Sequence, residues 1–140
     1  MERTLSIIKP DAVRASSTGA ILAAIEASGL CVIALRMLQL SRGEAEGFYA
    51  VHRGKPFFDS LVQFMTSGPV VVACLEGEGA IEAYRTLMGA TDPAQAAEGT
   101  LRRRFATNIE QNACHGSDAP GTAAFEVSYF FRELDLVGRG

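Results

Sequence analysis

The sequence is poor in cysteine, and it has no apolar run long enough to cross a bilayer. Its three cysteines form no Cys-x-x-Cys pair, so the sequence favours neither a disulfide framework nor a zinc site, and we expect buried, reduced thiols. Spanning a bilayer takes about 20 consecutive apolar residues. The N-terminus begins with charged residues and a short strand-like run, unlike a signal peptide. We therefore expect a cytoplasmic protein with no membrane partner.

The composition indicates one globular domain over residues 1–140. Hydrophobic residues make up 48% of the chain, and the formal net charge is -3, values that fit a domain with its own core. A mildly acidic balance argues against a broad nucleic-acid surface, so no nucleic-acid partner is expected. It leaves room for a local basic cleft that binds a small anion.

Apolar periodicity predicts an alternation of strands and helices. In chain order we expect a strand at 4–9, a helix at 18–28, a strand at 31–40, a helix from a capping box at 41–44 to residue 52, a short helix from Pro56, a strand at 69–75, a helix at 78–88, an irregular segment at 89–100, a short helix capped by Thr100, a short strand before His115 and a last helix with Asp118 or a neighbour as cap. The valine-rich run 69–75 is expected to be buried on both faces. This order defines an α/β domain, but it does not fix the order of the strands in the sheet.

Several polar side chains fall on faces that are expected to pack. Lys9 ends an inward-facing strand row, where a buried ammonium without an anion is costly. Tyr49 lies on the apolar stripe of its helix, and Arg85 shares a face with Ile81. Each has a structural alternative, in which the stem packs while the polar head reaches water or a neighbour. For His52, on the same stripe as Tyr49, the structural alternative is favoured.

The stretch 112–118 places His115 where a short apolar run breaks at a glycine, just before the last helix. A histidine held there by the backbone, yet open to a cleft, suits a nucleophile or base. The alternative is a partly buried ring with satisfied nitrogens. On the last helix, Glu126 shares a face with Ala123 and Phe130, and a carboxylate there needs a donor. His115 is the candidate donor.

These groups together favour phosphoryl transfer. Arginines occupy positions 102 to 104, and because helical neighbours point about 100° apart, the three cannot all reach one ligand. Lys9, Arg85 and one of these arginines would hold phosphate oxygens, while His115 accepts the phosphoryl group and Glu126 orients the ring. The chain has no Walker loop and no Gly-x-Gly-x-x-Gly kinase motif, so side chains would have to grip the phosphates.

The chain resembles the nucleoside diphosphate kinase family from about Glu2 to Glu133. The strongest motif is Asn112-x-x-His115-Gly116-Ser117-Asp118. The supporting motifs follow in the family's order, namely Thr4-Leu5-Ser6-Ile7-Ile8-Lys9-Pro10-Asp11, Phe48-Tyr49, Lys55-Pro56-Phe57-Phe58, Thr66-Ser67-Gly68-Pro69, Met88-Gly89-Ala90-Thr91-Asp92-Pro93 and Gly99-Thr100-Leu101-Arg102. So many motifs in register make coincidence implausible.

The resemblance implies an α+β, ferredoxin-like βαββαβ fold with a four-stranded antiparallel sheet covered by helices. It also implies a ping-pong exchange of the terminal phosphate between nucleoside triphosphates, mainly ATP, and nucleoside diphosphates, which maintains NTP and dNTP pools. His115 matches the residue that becomes phosphohistidine, Glu126 the carboxylate that orients it, and Ser117 the hydroxyl bonded to that carboxylate.

The same resemblance implies where the nucleotide binds. Positions that grip phosphates or ribose in the family are matched by Lys9, Tyr49, Arg85, Thr91, Arg102 and Asn112. Phe57 matches the aromatic residue that stacks on the base, with Leu61 and Ile109 as its apolar neighbours. Stacking accepts any base, so low base selectivity is expected.

Magnesium is the cofactor that the resemblance implies, carried on the nucleotide phosphates without a direct protein ligand, and with Asp118 touching its water shell. A homo-oligomer, tetramer or hexamer, is also expected. Two alternatives stay open: a non-catalytic nucleotide-binding or regulatory domain on the same fold, and a phosphohistidine protein that donates to another protein. The choice of acceptor separates the last from the kinase.

Overall fold

The computed structural model describes residues 1–138, which form a four-stranded sheet and seven α-helices. The strands are β1 (Glu2–Ile8), β2 (Cys31–Leu38), β3 (Val70–Gly77) and β4 (Cys114–Gly116). The helices are α1 (Pro10–Arg14), α2 (Thr18–Ala27), α3 (Arg42–Phe48), α4 (Phe58–Met65), α5 (Ala80–Met88), α6 (Leu101–Phe105) and α7 (Pro120–Phe130), with 3-10 turns at Ala50–His52, Pro93–Gln95 and Glu133–Asp135.

The sheet is antiparallel throughout, in the order β2-β3-β1-β4. The two central strands, β3 and β1, are more buried than the edge strand β2, and β3 is flanked on both sides. It gives Val70, Val72 and Cys74 to one face and Val71, Ala73 and Leu75 to the other. Burial on both faces explains why this run lacks the polar alternation of a half-exposed strand. The predicted ferredoxin-like fold is confirmed.

Helices cover both faces of the sheet. On one face, α3, α4 and α7 pack through Phe48, Val62 and Val127 against the β1 residues Leu5 and Ile7. The opposite face is covered by α1, α2, α5 and α6, through residues that include Ala12, Ile21, Tyr84 and Leu101. His115 lies on β4, the edge strand that α5 and β1 contact. Within the described residues, no helix is both long and apolar enough to span a membrane.

Some helix boundaries differ from the sequence prediction. The capping box is present, with the Glu44 amide donating to Ser41 Oγ at 3.1 Å and the Ser41 amide to Glu44 Oε1 at 2.8 Å. The helix that it opens ends at Phe48, however, and His52 lies in a separate 3-10 turn. Helix α1 was not predicted. Pro10 ends β1 as expected but also starts a helix, because proline fits the first helical position.

Candidate active site

Strand β4 holds His115 by its backbone and leaves the side chain accessible. His115 pairs with Ile7 of β1, and its neighbours Cys114 and Gly116 are buried. The His115 side chain keeps 21% exposure. A Cβ at Gly116 would lie 2.6 Å from Cε of Met88. Glycine is therefore required for β4 to lie this close to α5.

Glu126 and Ser117 fix the imidazole from one side. His115 Nε2 lies 2.9 Å from Glu126 Oε1, and the Ser117 hydroxyl donates to the same oxygen at 2.7 Å. Ser117 Oγ in turn accepts from the Leu5 amide at 3.1 Å. Glu126 is mostly buried, at 13% exposure. The hydrogen bond expected from the helical face of Glu126 is present.

This contact decides which ring nitrogen can react. An ionised carboxylate has only acceptors, so Nε2 must carry the proton and donate it to Glu126. The lone pair of the neutral imidazole is then on Nδ1. A positive charge formed by bonding at Nδ1 would be neutralised by Glu126. The adjacent Cys114 is unsuited to nucleophilic attack, since burial raises the pKa of its thiol to about 11.

Aromatic rings form the wall beside His115. The Phe48 ring meets the imidazole edge-on at 5.4 Å between centroids, and the Tyr49 ring does so at 6.4 Å. Tyr49 is 6% exposed. Burial raises the pKa of its phenol above the usual range, so the hydroxyl stays protonated and can donate a hydrogen bond.

Lys9 is a buried cation close to this histidine. The residue is 7% exposed, and its amide donates to the carbonyl of Ala113 at 2.9 Å, which ties it to the chain just before β4. Burial first, and then the positive charge of Arg102, lower the pKa of Lys9 to about 8. No carboxylate of residues 1–138 forms an ion pair with it. The environment therefore favours an anion beside Lys9.

Several buried polar atoms around this cation have no protein partner. Within residues 1–138 they include Tyr49 Oη, Arg102 Nε and Asn112 Oδ1. Arg102 uses its other nitrogens to donate to the carbonyls of Gly89 and Cys114, each at 3.0 Å. Buried polar atoms are normally paired. A group of unpaired ones beside a buried ammonium is typical of a site that a polar ligand completes.

The backbone between Asn112 and His115 is strained. Ala113 has a φ of 72°, which is uncommon for a residue with a Cβ. The Asp11 carboxylate accepts a hydrogen bond from the Ala113 amide at 3.1 Å, and burial raises the pKa of that carboxyl group. Strain of this kind persists when surrounding contacts over-determine it, and it occurs often at functional sites.

Other predicted site residues lie on the surface. Arg85 and Thr91 are both exposed, and neither side chain has a hydrogen bond or ion pair within the part of the chain that is described. The prediction that Arg85 lies on the packed stripe of α5 is wrong. Tyr84 occupies that stripe with Ile81 and Met88, so Arg85 points away from the core and is free to reach a ligand.

The residues expected at the base lie on two separate segments. Phe57 precedes α4, Leu61 is on it, and Ile109 is in the loop before β4. Phe57 is 46% and Ile109 59% exposed. A hydrogen bond from the Ser60 hydroxyl to Glu110 Oε2, 2.7 Å long, joins these two segments. Exposed apolar side chains on both sides of this bridge suit a flat apolar ligand.

His52 lies next to predicted site residues. Its ring stacks on Tyr49 at 6.3 Å and meets Phe57 at 5.2 Å. Its Nδ1 atom is buried and has no partner within residues 1–138. The ring contacts agree with the structural role favoured from the sequence, and the unpaired nitrogen lies between the predicted phosphate and base residues.

Asp118 sits at the start of α7 without capping its backbone. The N-cap is Ala119, while Asp118 Oδ1 accepts the Thr122 hydroxyl at 2.6 Å. The neighbour Ala119 occupies the N-cap position, but its side chain forms no capping hydrogen bond, so the expected side-chain cap is not present. Asp118 is exposed beside Ser117, which leaves its other oxygen open to solvent.

A ferredoxin-like fold that pairs a histidine with a carboxylate, next to an unpaired buried cation, defines the class of this protein as a phosphotransferase. A protein-family model described as nucleoside diphosphate kinase matches residues 2–136 of this chain. The chain is 60% identical over 138 residues to the nucleoside diphosphate kinase of Nitratidesulfovibrio vulgaris, with 99% of each chain covered. It is 60% identical over 139 residues to that of Desulfosudis oleivorans, covering 99% of this chain and 100% of the relative.

Solved structures that resemble this chain are also nucleoside diphosphate kinases. The nucleoside diphosphate kinase of Aquifex aeolicus superimposes with a TM-score of 0.96 at 44% identity, over 97% of this chain and 99% of that one. The halophilic enzyme from Halobacterium salinarum, in complex with CDP, gives a TM-score of 0.95 at 39% identity, over 99% and 93% of the two chains. The chain belongs to the nucleoside diphosphate kinase family.

Proposed function

We propose that this nucleoside diphosphate kinase moves the terminal phosphate of a nucleoside triphosphate, mainly ATP, to a nucleoside diphosphate by way of a phosphohistidine at His115. The observation that carries the proposal is the 2.9 Å contact from Nε2 to Glu126, which leaves Nδ1 with the lone pair. The Halobacterium salinarum relative, whose structure is a complex with CDP, supports nucleotide binding by this chain. Such an exchange maintains NTP and dNTP pools.

The first half-reaction forms one bond and breaks one. Nδ1 of His115 attacks the terminal phosphorus in line, and the bond from that phosphorus to the bridging oxygen breaks, so that the diphosphate leaves with the bonding electron pair. The imidazole becomes positively charged, and Glu126 neutralises it through the proton that Nε2 keeps. A second diphosphate then attacks the phosphohistidine and reverses these steps.

The unpaired groups have roles that their chemistry suggests. The Lys9 ammonium and the Arg102 guanidinium would hold phosphate oxygens as negative charge shifts toward the leaving diphosphate. The Tyr49 hydroxyl is a donor beside the histidine, and Asn112 would hydrogen-bond the ribose or a phosphate. Arg85 on α5 and Thr91 just after it, both exposed, would bind the distal part of the phosphate chain.

The nucleoside would lie between the two exposed apolar segments. Phe57 would stack on the base, with Leu61 and Ile109 as apolar neighbours. Stacking is tolerant of base identity because every base has an aromatic face. An enzyme that supplies all nucleoside triphosphates needs this tolerance.

Magnesium would arrive on the nucleotide phosphates. We propose that the ion has few direct protein ligands, because Mg²⁺ usually keeps several waters and binds through substrate phosphates. When bound, the ion neutralises part of the charge on the phosphate oxygens. The free oxygen of Asp118 would contact its water shell.

A homo-oligomer, tetramer or hexamer, is part of the proposal. Strand β2 lies at the edge of the sheet, and in its C-terminal half the side chains of Leu35 and Met37 are 54% and 60% exposed. An exposed apolar edge strand favours pairing with another chain.

We also propose that the enzyme is cytoplasmic, because the three cysteines are free, as in reducing compartments.

Intact mass spectrometry tests the proposal. With Mg-ATP the wild-type protein should gain one acid-labile phosphoryl group, and adding GDP should remove it. His115→Ala should keep the fold and nucleotide binding but never gain the group. Normal turnover by that variant would refute the assignment. ATP binding without phosphoprotein in the wild type would point to a non-catalytic binding domain, and transfer to a protein but not to GDP would point to a signalling phosphodonor.

A further inference from the structure

Helices α3 and α7 are joined by one side chain that the reaction does not use directly. The Tyr129 hydroxyl on α7 donates to the carbonyl oxygen of Glu44 on α3, over 2.7 Å and 85 residues of sequence. The bond runs between the helix that carries Glu126 and the helix that ends next to Tyr49. It therefore links two walls of the site.

Gly47 makes room for this contact. A Cβ at Gly47 would lie 2.5 Å from Tyr129 Oη, but 3.4 Å from Cζ and 3.6 Å from Cε1. The collision thus involves the hydroxyl oxygen and spares the ring. A glycine inside a helix costs about 1 kcal/mol relative to alanine. Of the two glycines in α3, Gly47 is the one whose Cβ would meet the Tyr129 hydroxyl, whereas Gly43 has open space.

We call the contact from the Tyr129 hydroxyl to the Glu44 carbonyl the clasp. Ring contacts link this clasp to His115. The Tyr129 ring meets Phe48 edge-on at 5.7 Å between centroids, and Phe48 meets His115 at 5.4 Å. Phe48 also contacts Tyr49 at 4.9 Å. One turn earlier on α7, Glu126 holds the other side of the imidazole. Movement of α3 relative to α7 would therefore change the geometry of the ring and of Tyr49 together.

Helix α3 depends on such contacts for its position. It has seven residues, and a helix this short is not stable alone, so tertiary contacts place it. We propose that Tyr129 is a positioning residue, whose bond to Glu44, seated on Gly47, fixes Phe48 and Tyr49 against His115 for attack on the phosphate. This inference rests on the proposed phosphohistidine mechanism, and it concerns the speed of the first half-reaction.

Three variants and one control test the clasp. Tyr129→Phe removes the hydroxyl and keeps the ring. Gly47→Ala introduces the collision, and the double variant relieves it because the Cβ then faces only the ring. Ser128→Ala is the matched control, since the Ser128 hydroxyl donates to the carbonyl of Phe125 within α7 and does not reach α3.

The measurement is single-turnover formation of phosphoprotein from Mg-ATP by rapid quench, over a series of ATP concentrations at 25 °C, with melting temperatures recorded. A 1 Å misplacement can cost on the order of 100-fold in rate. For the partial loosening in Tyr129→Phe we expect the maximal rate to fall about 5- to 20-fold, with the half-saturating ATP concentration changed less than about 2-fold. Gly47→Ala should also be slow, because its Cβ displaces the Tyr129 hydroxyl. The double variant should be no slower than Gly47→Ala, because the bond is already lost there, and Ser128→Ala should equal wild type.

Several results would overturn the inference. A maximal rate of Tyr129→Phe equal to that of the wild type, even with a lower melting temperature, would make the bond merely structural. So would a change confined to the half-saturating ATP concentration, or a double variant slower than Gly47→Ala, since Tyr129→Phe should cost nothing further once the bond is lost. If Gly47→Ala does not fold, Tyr129→Phe decides alone. Absence of phosphoprotein in the wild type would refute the proposed function itself, which keeps the two failures distinct.

Discussion

Replacing Lys9 by methionine should make the nucleotide-free protein more stable while removing a phosphate-binding group. The ammonium is 7% exposed, and burial lowers its pKa from 10.5 to about 8. That difference corresponds to a cost of about 3 kcal/mol for holding the charged lysine in the folded protein. Methionine keeps an unbranched apolar stem but carries no charge. At pH 7 we therefore expect Lys9→Met to raise the free energy of unfolding by about 3 kcal/mol.

The stability advantage of Lys9→Met over the wild type should decrease as the pH rises. Between pH 8 and 10.5 the unfolded chain binds more protons at Lys9 than the folded protein does, so the wild type gains stability as the pH rises through that window. The variant lacks this group. Its advantage should fall to about 1 kcal/mol at pH 9.5 and vanish above pH 10.5.

Urea unfolding at pH 7 and pH 9.5, at one fixed protein concentration, measures both quantities. The exposed Lys55 provides the matched control, because Lys55→Met should change the free energy of unfolding by no more than about 0.5 kcal/mol at either pH. A Lys9→Met protein less stable than wild type at pH 7 would refute the reasoning. So would an advantage of equal size at both pH values.

Three further variants test other parts of the site. Glu126→Ala should slow phosphoprotein formation about 10- to 100-fold in rapid-quench assays, while ADP affinity by calorimetry changes far less, because Glu126 orients the nucleophile without touching substrate. Phe57→Ala should weaken ADP, GDP and CDP alike by about 1 to 3 kcal/mol in calorimetric titrations, and a loss confined to one base would contradict stacking. Gly116→Ala should lower the free energy of unfolding in urea by about 1 to 3 kcal/mol, since its Cβ would collide with Met88 and Tyr84; unchanged stability would show that β4 can move away from α5.

Local patterns predicted most elements of the fold. The valine-rich run of β3 and the capping box before α3 each reflect interactions within a few residues or a single burial environment. The order of the strands does not, since antiparallel pairing joins segments that are distant in sequence. Helix α1 was missed because Pro10 both ends a strand and starts a helix. The pattern that marks Pro10 as the end of a strand does not show that proline also fits the first position of a helix.

The site was predictable where a carboxylate had to find a donor. Glu126 lies between the buried residues Ala123 and Phe130 on one face of α7, so the expected hydrogen bond to His115 followed from helical spacing and polar satisfaction. The position of Arg85 was not predictable in this way, because Tyr84 fits the buried stripe of α5 better. The end of α3 was also not predictable in this way, since the apolar period continues to His52 although the helix ends at Phe48 and a 3-10 turn follows.

The unpaired buried groups connect stability with chemistry. Lys9, Tyr49 and Asn112 each have 7% exposure or less. Within residues 1–138, Lys9 forms no ion pair, Tyr49 Oη has no hydrogen-bond partner, and Asn112 Oδ1 has no donor. Water screens such groups poorly, so a phosphate entering the site meets charges already stripped of solvent and fixed in place. The desolvation that lowers the pKa of Lys9 is therefore the same property that strengthens its grip on a phosphate. A substitution that relieves it should stabilise the empty protein and weaken nucleotide binding together.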